Sequence, residues 1–400
     1  MSITKTPANL VYTYIAQRGV VSRAELIKEF SMPSSSMTRL LDELIEGNKL
    51  REHGRGSSTG GRRPILYETN PTYGYLFGLE ISRIYSSIGL YDMHMNRMSA
   101  IRWKMDESMT PDVFLTRVQE AVHRFLHEHG LQPSSIIGMG VGAVGPLDRE
   151  RGLILDPVYF PAQGWHNLPI CELLEERLGF PVLLDNGANT ALVGEHWALR
   201  SEYYQHMLYV HVGAGLRSAV MSNGQLVYGA TDMEGAIGRM IIQAGDLSQP
   251  GSAINGSLES FVSVHAIENE VRELAMAGAL THSREVRGSG SDGGNGEIWS
   301  FEKLLHALSA GDIMVQEKFK QAAAYLGIGL ANLINVLHPE KVILGGALLN
   351  AHECVFETAV EVARSHTYYY PQYKPLFSKG LLKEEAVAAG AAVMVLKQLP

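Results

Sequence analysis

Over the first fifty residues apolar positions recur every three or four places, the spacing of one buried helix face. In residues 6–18 they fall at Leu10, Val11, Tyr14 and Ile15, and Gly19 supplies a stop. Ser22 opens a second helical stretch, SRAELIKEF, with Glu25 at capping-box spacing and Leu26, Ile27 and Phe30 on one side. After the turn S-M-P a third begins at Ser34 and carries Met37, Leu40, Leu41, Leu44 and Ile45 on its apolar face. The period then shortens to that of strands. Residues 50–53 and 65–68 are expected to pair across the polar stretch GRGSSTGGRR. From Tyr75 the pattern is α/β: a two-stranded hairpin around residues 80–84, a helix over 111–129, a strand IIGMGVGAVGPLD, a short buried strand FPVLL and a helix over 189–197. A strand over 208–212, a helix LESFVSVHAIENEV, and helices over 301–336 and 355–366 complete the expected order.

Composition adds scale and partners. At 400 residues and 46% hydrophobic content the chain can form two or three domains with real cores. Its longest apolar runs fall short of the roughly 20 residues of a membrane span, and no signal-peptide pattern is visible, so the expectation is a cytoplasmic protein with no membrane partner. Cys171 and Cys354 make no disulfide framework, and neither has a neighbour at metal-ligand spacing. Residues 1–75 hold ten Lys and Arg against seven Asp and Glu, a local +3 in a chain of net charge −8. A basic module thus precedes an acidic one.

The second and third helices have helix-turn-helix spacing, which would present Ser34, Ser35, Ser36, Thr38 and Arg39 to a DNA groove. Hydroxyls and Arg can read bases or grip phosphates. The strand pair would be a wing, with Arg55, Arg62 and Arg63 on glycine-rich backbone suited to a minor groove. The same residues also suit a plain three-helix bundle with capped helix starts, followed by a solvated Gly/Ser linker.

Residues 183–195, LLDNGANTALVGE, place Asp185, Asn186 and Gly187 at a strand-to-helix turn, a favoured ligand position in α/β sheets. The stretch resembles the pattern E-N-D-A-N-A-A-A-x-G-E of the ROK family (repressors, open reading frames, kinases), in which the Asp after Asn is the general base. That Asp falls on Gly187, which cannot take a proton, and such a base typically contributes about 10²- to 10⁴-fold. Residues 61–64 are similar to the GRRP-like segment of the family's repressors. Gly142, Gly145 and Pro146 resemble its G-x-x-G-P sugar-side loop. The segment DPVYFPAQGW resembles the one that closes over the sugar, where Tyr159, Phe160 and Trp165 can stack on a sugar or pack under the loop. Glu80 and Ser82 stand at the kinases' Asp-x-Gly turn, where Ser82 and Arg83 block close approach to a phosphate. Gly213, Ala214, Gly215, Leu216 and Arg217 stand where the family has G-T-G-I-G, and Gly345 and Gly346 match its Gly-Gly signature.

Where the family has A-G-E-x-G-H and a C-x-C-G-x-x-G-C-x-E run, the first Glu falls on Ala236, the His on Arg239, and the three Cys on Pro250, Ser252 and Ser257. The family's zinc ligands are replaced, so no metal or other cofactor is expected. Gly256 and Glu259 are kept, and Glu259 is either a hydroxyl-binding residue or an ordinary acidic helix start. Residues 283–298 lack the Lys-Ser/Thr of a phosphate loop.

The resemblance implies a winged helix-turn-helix over residues 1–72 and a two-lobed, actin-like (ribonuclease H-like) ROK domain over 73–400. It implies a transcriptional regulator of carbohydrate metabolism, a homodimer on operator DNA, with an effector at Gly145, Asp185, Asn186, Gly187, Arg239 and Glu259. Exchanging Asp, Glu and neutral His for Gly187, Ala236 and Arg239 moves charge by about +3 if all flank one cleft, which would favour an anionic sugar derivative. The alternatives are an active sugar kinase and a scaffold without a ligand.

Overall fold

The computed structural model describes residues 6–56, 63–158, 160–231, 235–243, 256–276 and 299–399. The chain forms two compact units, one of Met1–Tyr203 with Glu384–Pro400 and the other of Tyr204–Lys383.

The first unit opens with helix α1 (Pro7–Arg18), capped by the Thr6 hydroxyl and closed by Gly19 at a positive φ of 84°. Strand β1 (Val21–Ser22) leads into α2 (Arg23–Phe30), whose first turn is capped by Ser22, and α3 (Ser34–Glu46) follows. Val11, Ile15, Leu26, Met37, Leu41 and Leu44 are buried, as their spacing predicts. Strands β2 (Leu50–Arg55) and β3 (Ile65–Thr69) pair antiparallel, with a bulge between Glu52 and Gly54. Two details differ from expectation. The hairpin runs past His53 to Arg55, and β1 adds a third strand, giving the order β1-β3-β2. A two-residue strand has too short a pattern to show periodicity.

A five-stranded sheet follows. Strands β4 (Tyr75–Ile81), β5 (Tyr85–Asp92) and β6 (Arg97–Lys104) form an antiparallel meander. The expected hairpin is there. Its third strand escaped the sequence pattern because β6 is an edge whose only buried side chain is Trp103. Helix α4 (Pro111–Glu128), β7 (Ile136–Ala143), the short pair β8 (Leu147–Asp148) and β9 (Leu153–Ile154), α5 (Ile170–Leu178), β10 (Val182–Asn186) and α6 (Gly187–Ala198) come next. β7 lies parallel to β4 and β10 parallel to β7, so the sheet order is β6-β5-β4-β7-β10.

The second unit has its own sheet and helices: β11 (Met207–Val212), β12 (Leu216–Ser222), β13 (Gln225–Leu226), α7 (Leu258–Val262), α8 (Val264–Met276), α9 (Phe301–Ser309), α10 (Ile313–Leu337), β14 (Lys341–Gly345), α11 (Ala347–Ala351), α12 (Glu353–Ser365) and β15 (Leu376–Ser378). Its order, β13-β12-β11-β14-β15, repeats that of the first sheet strand for strand: an antiparallel meander, then two parallel strands beside its first member. The single helix expected from LESFVSVHAIENEV is two. Ser263 is extended, with φ −66° and ψ 154°, and its hydroxyl accepts the Ala266 N–H to start α8.

The chain then returns to the first unit as α13 (Ala386–Lys397), AVAAGAAVMVLK. Nearly every residue of it is buried, as an all-apolar helix requires. It packs on β4, β7 and α6 so closely that a Cβ on Gly78 or Gly140 would run into the carbonyl of Ala388 or Ala391. A Cβ on Gly390 would strike the Thr190 carbonyl of α6, and one on Gly194 would lie 2.6 Å from the Ala386 oxygen.

This fixes the sign of one mutational effect. Within a helix Gly→Ala ordinarily stabilises by about 0.5–1 kcal/mol. At Gly390 the close approach reverses it, and Gly390→Ala should destabilise by about 1–3 kcal/mol or more, read from the urea midpoint of the transition that includes the first unit. A midpoint at or above wild type would show that the α13–α6 contact is looser than described.

Candidate functional site

In the N-terminal module Ser34, Ser35, Ser36 and Arg39 are exposed on the first turns of α3. Thr38 is committed locally. Its hydroxyl donates to the Ser34 carbonyl at 2.9 Å and accepts from Arg23 Nη1 at 3.0 Å, which brings an exposed cation of α2 to the start of α3. Arg23 was not among the expected residues, since nothing in its spacing marks it. Arg55 and Arg63 are exposed at the two sides of the hairpin tip; Arg62 lies outside the described residues. The base of the hairpin is held by Glu68, whose carboxylate meets Arg51 Nε at 2.7 Å and His53 Nδ1 at 3.1 Å. Burial disfavours the Glu68 charge, but the hydrogen bonds from His53 and Arg51 outweigh it and keep the carboxyl below its usual range.

In the first unit's sheet, β10 ends at Asn186 and α6 begins at Gly187, so Asp185, Asn186 and Gly187 do occupy a strand-to-helix junction. Asp185 is buried. Its Oδ1 accepts the Asn186 N–H at 2.6 Å and Asn189 Nδ2 at 2.9 Å. Asn186 caps α6 by accepting the Ala188 N–H at 2.9 Å. Gly145 adjoins it, since a Cβ there would lie 3.1 Å from Asn186 Nδ2. At Gly187 a Cβ would meet nothing nearer than 3.6 Å, and φ is not positive. Packing therefore does not impose glycine where the family pattern has its base.

Of the aromatic segment, Trp165 is buried edge-on against Phe114 with centroids 5.1 Å apart, touches Phe160 at 4.7 Å, and donates Nε1–H to the Met109 carbonyl at 2.9 Å. It packs under the loop rather than offering a stacking face; Tyr159 lies outside the described residues. On β4, burial pushes the Glu80 carboxyl up to about 7, against the Ser87 hydrogen bond and the Arg102 charge and with help from the Glu384 charge. Ser82 and Arg83 follow, and Arg83 Nε donates to the Val158 carbonyl at 2.7 Å.

The second unit gathers another set. The Glu259 side chain, on the first turn of α7, sits between the hairpin turn that starts β12 and the short 3₁₀ turn Ile237–Arg239. Its Oε2 accepts the Leu216 N–H at 3.3 Å. A Cβ on Gly238 would lie 3.1 Å from Glu259 Cβ, and one on Gly215 would lie 3.5 Å from the carboxylate. Arg217 and Arg239 are the next residues along from these contacts. Burial holds the Arg217 guanidinium below its usual range, opposed by the Glu259 charge and assisted by that of Arg239. Ala236 is half-buried beside the same turn. Ser257 is fully buried and bridges to Ile241, while Pro250, Ser252, Glu234 and residues 283–298 lie outside the described residues. Among the described residues no cluster of His, Cys, Asp and Glu could hold a metal ion, and no helix is long and apolar enough to cross a membrane.

Two sheets of identical strand order, each with helices on it, define a duplicated mixed α/β protein behind a small helical module. The chain belongs to the ROK family, whose sequence profile matches residues 78–398. It is 26% identical over 391 residues to the xylose repressor of Caldicellulosiruptor bescii, covering 98% of this chain and 95% of that protein. A crystal structure of a ROK family transcriptional regulator, described as a homologue of the E. coli MLC protein, superposes with TM-score 0.75 over 98% of this chain and 96% of its own, at 21% identity. The ROK hexokinase of Thermus thermophilus matches at TM-score 0.62 and 26% identity over 97% of its own chain but 80% of this one.

The Glu80 environment has a measurable consequence. An unfolded Glu ionises near 4.5 and the folded one near 7, so the stabilisation that comes with the neutral carboxyl is complete below about 4.5 and is lost as pH rises through about 7. Glu80→Gln should abolish this loss, leaving the variant more stable than wild type at pH 8 by on the order of 2–3 kcal/mol relative to their difference at pH 4.5. Urea denaturation of both proteins across that range is the check; parallel stability profiles would contradict it.

Proposed function

We propose that this chain is a DNA-binding transcriptional repressor of carbohydrate metabolism whose ROK domain senses a sugar or sugar derivative and does not phosphorylate it. One observation carries the reading: repressor and regulator relatives run with this chain along 98% of its length, whereas a hexokinase of the same family, itself 97% covered, matches 80%. What precedes the family's profile is the module of α1–α3 and the β1-β3-β2 sheet, which has the layout of a winged helix. We take residues 1–72 as the DNA-binding domain and 73–400 as the sensor. In this reading α3 enters the major groove with Ser34, Ser35, Ser36 and Arg39, Thr38 holds Arg23 at the groove edge, and Arg55, Arg62 and Arg63 on the wing meet backbone or minor groove. One such module gives a small interface, so a homodimer on a pseudo-palindrome supplies affinity, and the cytoplasm is its place of action.

The absence of a side chain at Gly187 supports sensing over catalysis, because glycine cannot take a proton and a Cβ there would meet nothing nearer than 3.6 Å. Asp185 is committed to Asn186 and Asn189 and does not substitute for it. Each unit then has its own candidate effector contacts, Asp185, Asn186 and Gly187 beside Gly145 in the first, and Arg239 and Glu259 in the second.

The experiment is selection of binding sites from random DNA, then titration of variants. Arg39→Ala should relax base preference. Arg62→Ala with Arg63→Ala should weaken all sites alike and reduce the slope of log affinity against log salt by about one to two. Wild-type affinity in both variants, or sugar-dependent ATP consumption by the purified protein, would overturn the repressor reading.

A further inference from the structure

We propose that Arg18 and Tyr203 form a latch that docks the N-terminal module on the rest of the first unit and so fixes the pose in which α3 meets DNA. This rests on the DNA-binding reading and adds to it the pair of residues that holds the module's orientation.

One short link, residues 70–74, joins β3 of the module to β4 of the sheet that follows. The link is pinned at its start: His94 Nε2 lies 2.7 Å from the Thr69 carbonyl, and the Met93 N–H donates to the Pro71 carbonyl at 3.3 Å. A body held at one such place can still swing about it, and a second contact, distant along the chain, removes that freedom. Arg18 supplies the second contact. Its guanidinium carbon lies 4.1 Å from the centre of the Tyr203 ring and 5.4 Å from that of Tyr14, both within cation–π range.

Each side of the latch is tied to an element the function needs. On the module side, Tyr14 packs edge-on against Phe30 of α2 with centroids 5.5 Å apart, and α2 reaches α3 through Arg23 Nη1, 3.0 Å from the Thr38 hydroxyl. On the other side, Tyr203 closes the 3₁₀ turn Arg200–Glu202 that follows α6, and Arg200 Nη1 donates to the Trp197 carbonyl in the last turn of that helix at 2.9 Å. Tyr203 itself has a φ of 57°, a left-handed backbone that a residue with a large side chain adopts only at a cost. Its side chain stays 54% exposed, so burial in a core is not what offsets that cost.

The latch is weak enough to be reversible. An exposed cation–π pair shifts an equilibrium by about two- to fivefold. A homodimer would carry two, and keeping both shut would favour one separation of its two α3 helices by about four- to twenty-fivefold over separations that force both open.

Hydrogen exchange and DNA binding on the full-length protein test this with Arg18→Ala, Tyr203→Ala, Tyr203→Phe and the double alanine variant. Tyr203→Ala should speed exchange of the α1 amides, and Arg18→Ala that of residues 199–204, each across the contact from its own substitution. Tyr203→Phe keeps the ring face and should stay close to wild type, and the double variant should lose no more than either alanine variant alone. Paired half-sites come from selection in random DNA, with the spacer then lengthened or shortened by two base pairs. On these the alanine variants should reduce the preference for the selected spacing by about four- to twenty-fivefold while keeping affinity for a single half-site. Unchanged exchange across the contact, additive losses in the double variant, or a spacing preference as sharp as wild type would overturn the latch and leave DNA binding standing. If the wild type selects no DNA, the DNA-binding reading falls, and the docking contact stands or falls on the exchange alone.

Discussion

A helix with no polar face must be enclosed on all sides, and α13 is enclosed by glycine and alanine backbone. Gly78 and Gly140 let it rest on the sheet, and Gly194 and Gly390 let it rest on α6. Interaxial approach this close converts many weak dispersion contacts into a rigid seat, and a single methyl group at the wrong position has nowhere to go. The β10–α6 junction depends on that seat. α6 carries Asn186 as its cap and Gly187 as its first residue, and α13 fixes where α6 lies against β7 and β10. The Asp185 hydrogen bonds to Asn186 and Asn189 then set the turn itself.

The second unit solves the same problem by different means. Its long helix α10 packs on α12 at Gly327, where a Cβ would sit 2.6 Å from Val362 Cβ, and the sheet is the first sheet's order repeated. Equal strand order with unrelated packing details is what a duplicated architecture allows, since the order follows from connection rules and the packing from local side chains. The residues at the strand ends differ too: Asn186 caps α6 in the first unit, and Glu259 accepts the Leu216 N–H in the second.

The N-terminal module adds polar contacts to a small core of Val11, Ile15, Leu26, Met37, Leu41 and Leu44. Glu68 takes Arg51 and His53 as partners on the neighbouring strand, and Arg18 lies over the rings of Tyr14 and Tyr203 at 5.4 and 4.1 Å, tying α1 to the segment after α6. These contacts orient the module without enlarging its core.

From sequence alone the helices of the module, the meander's first two strands, the β10–α6 junction and the family were legible, because each rests on local periodicity, a cap or a short motif. Gly19, Ser22 and Asn186 act where their local chemistry predicts. Edge strands β1 and β6 were not legible, since a strand with one buried side chain leaves no alternation, and the break at Ser263 was hidden inside a continuous helical pattern. Gly187 was visible as a departure from a motif, but that a Cβ there would meet nothing nearer than the Ala143 oxygen at 3.6 Å is decided by the fold. Likewise Leu216 and Gly238 stand 22 positions apart with Glu259 21 further on. Only the tertiary fold brings both to one side chain, where Leu216 donates its N–H to the carboxylate and Gly238 gives it room, because contact depends on separation in space, which is not written in the order of residues.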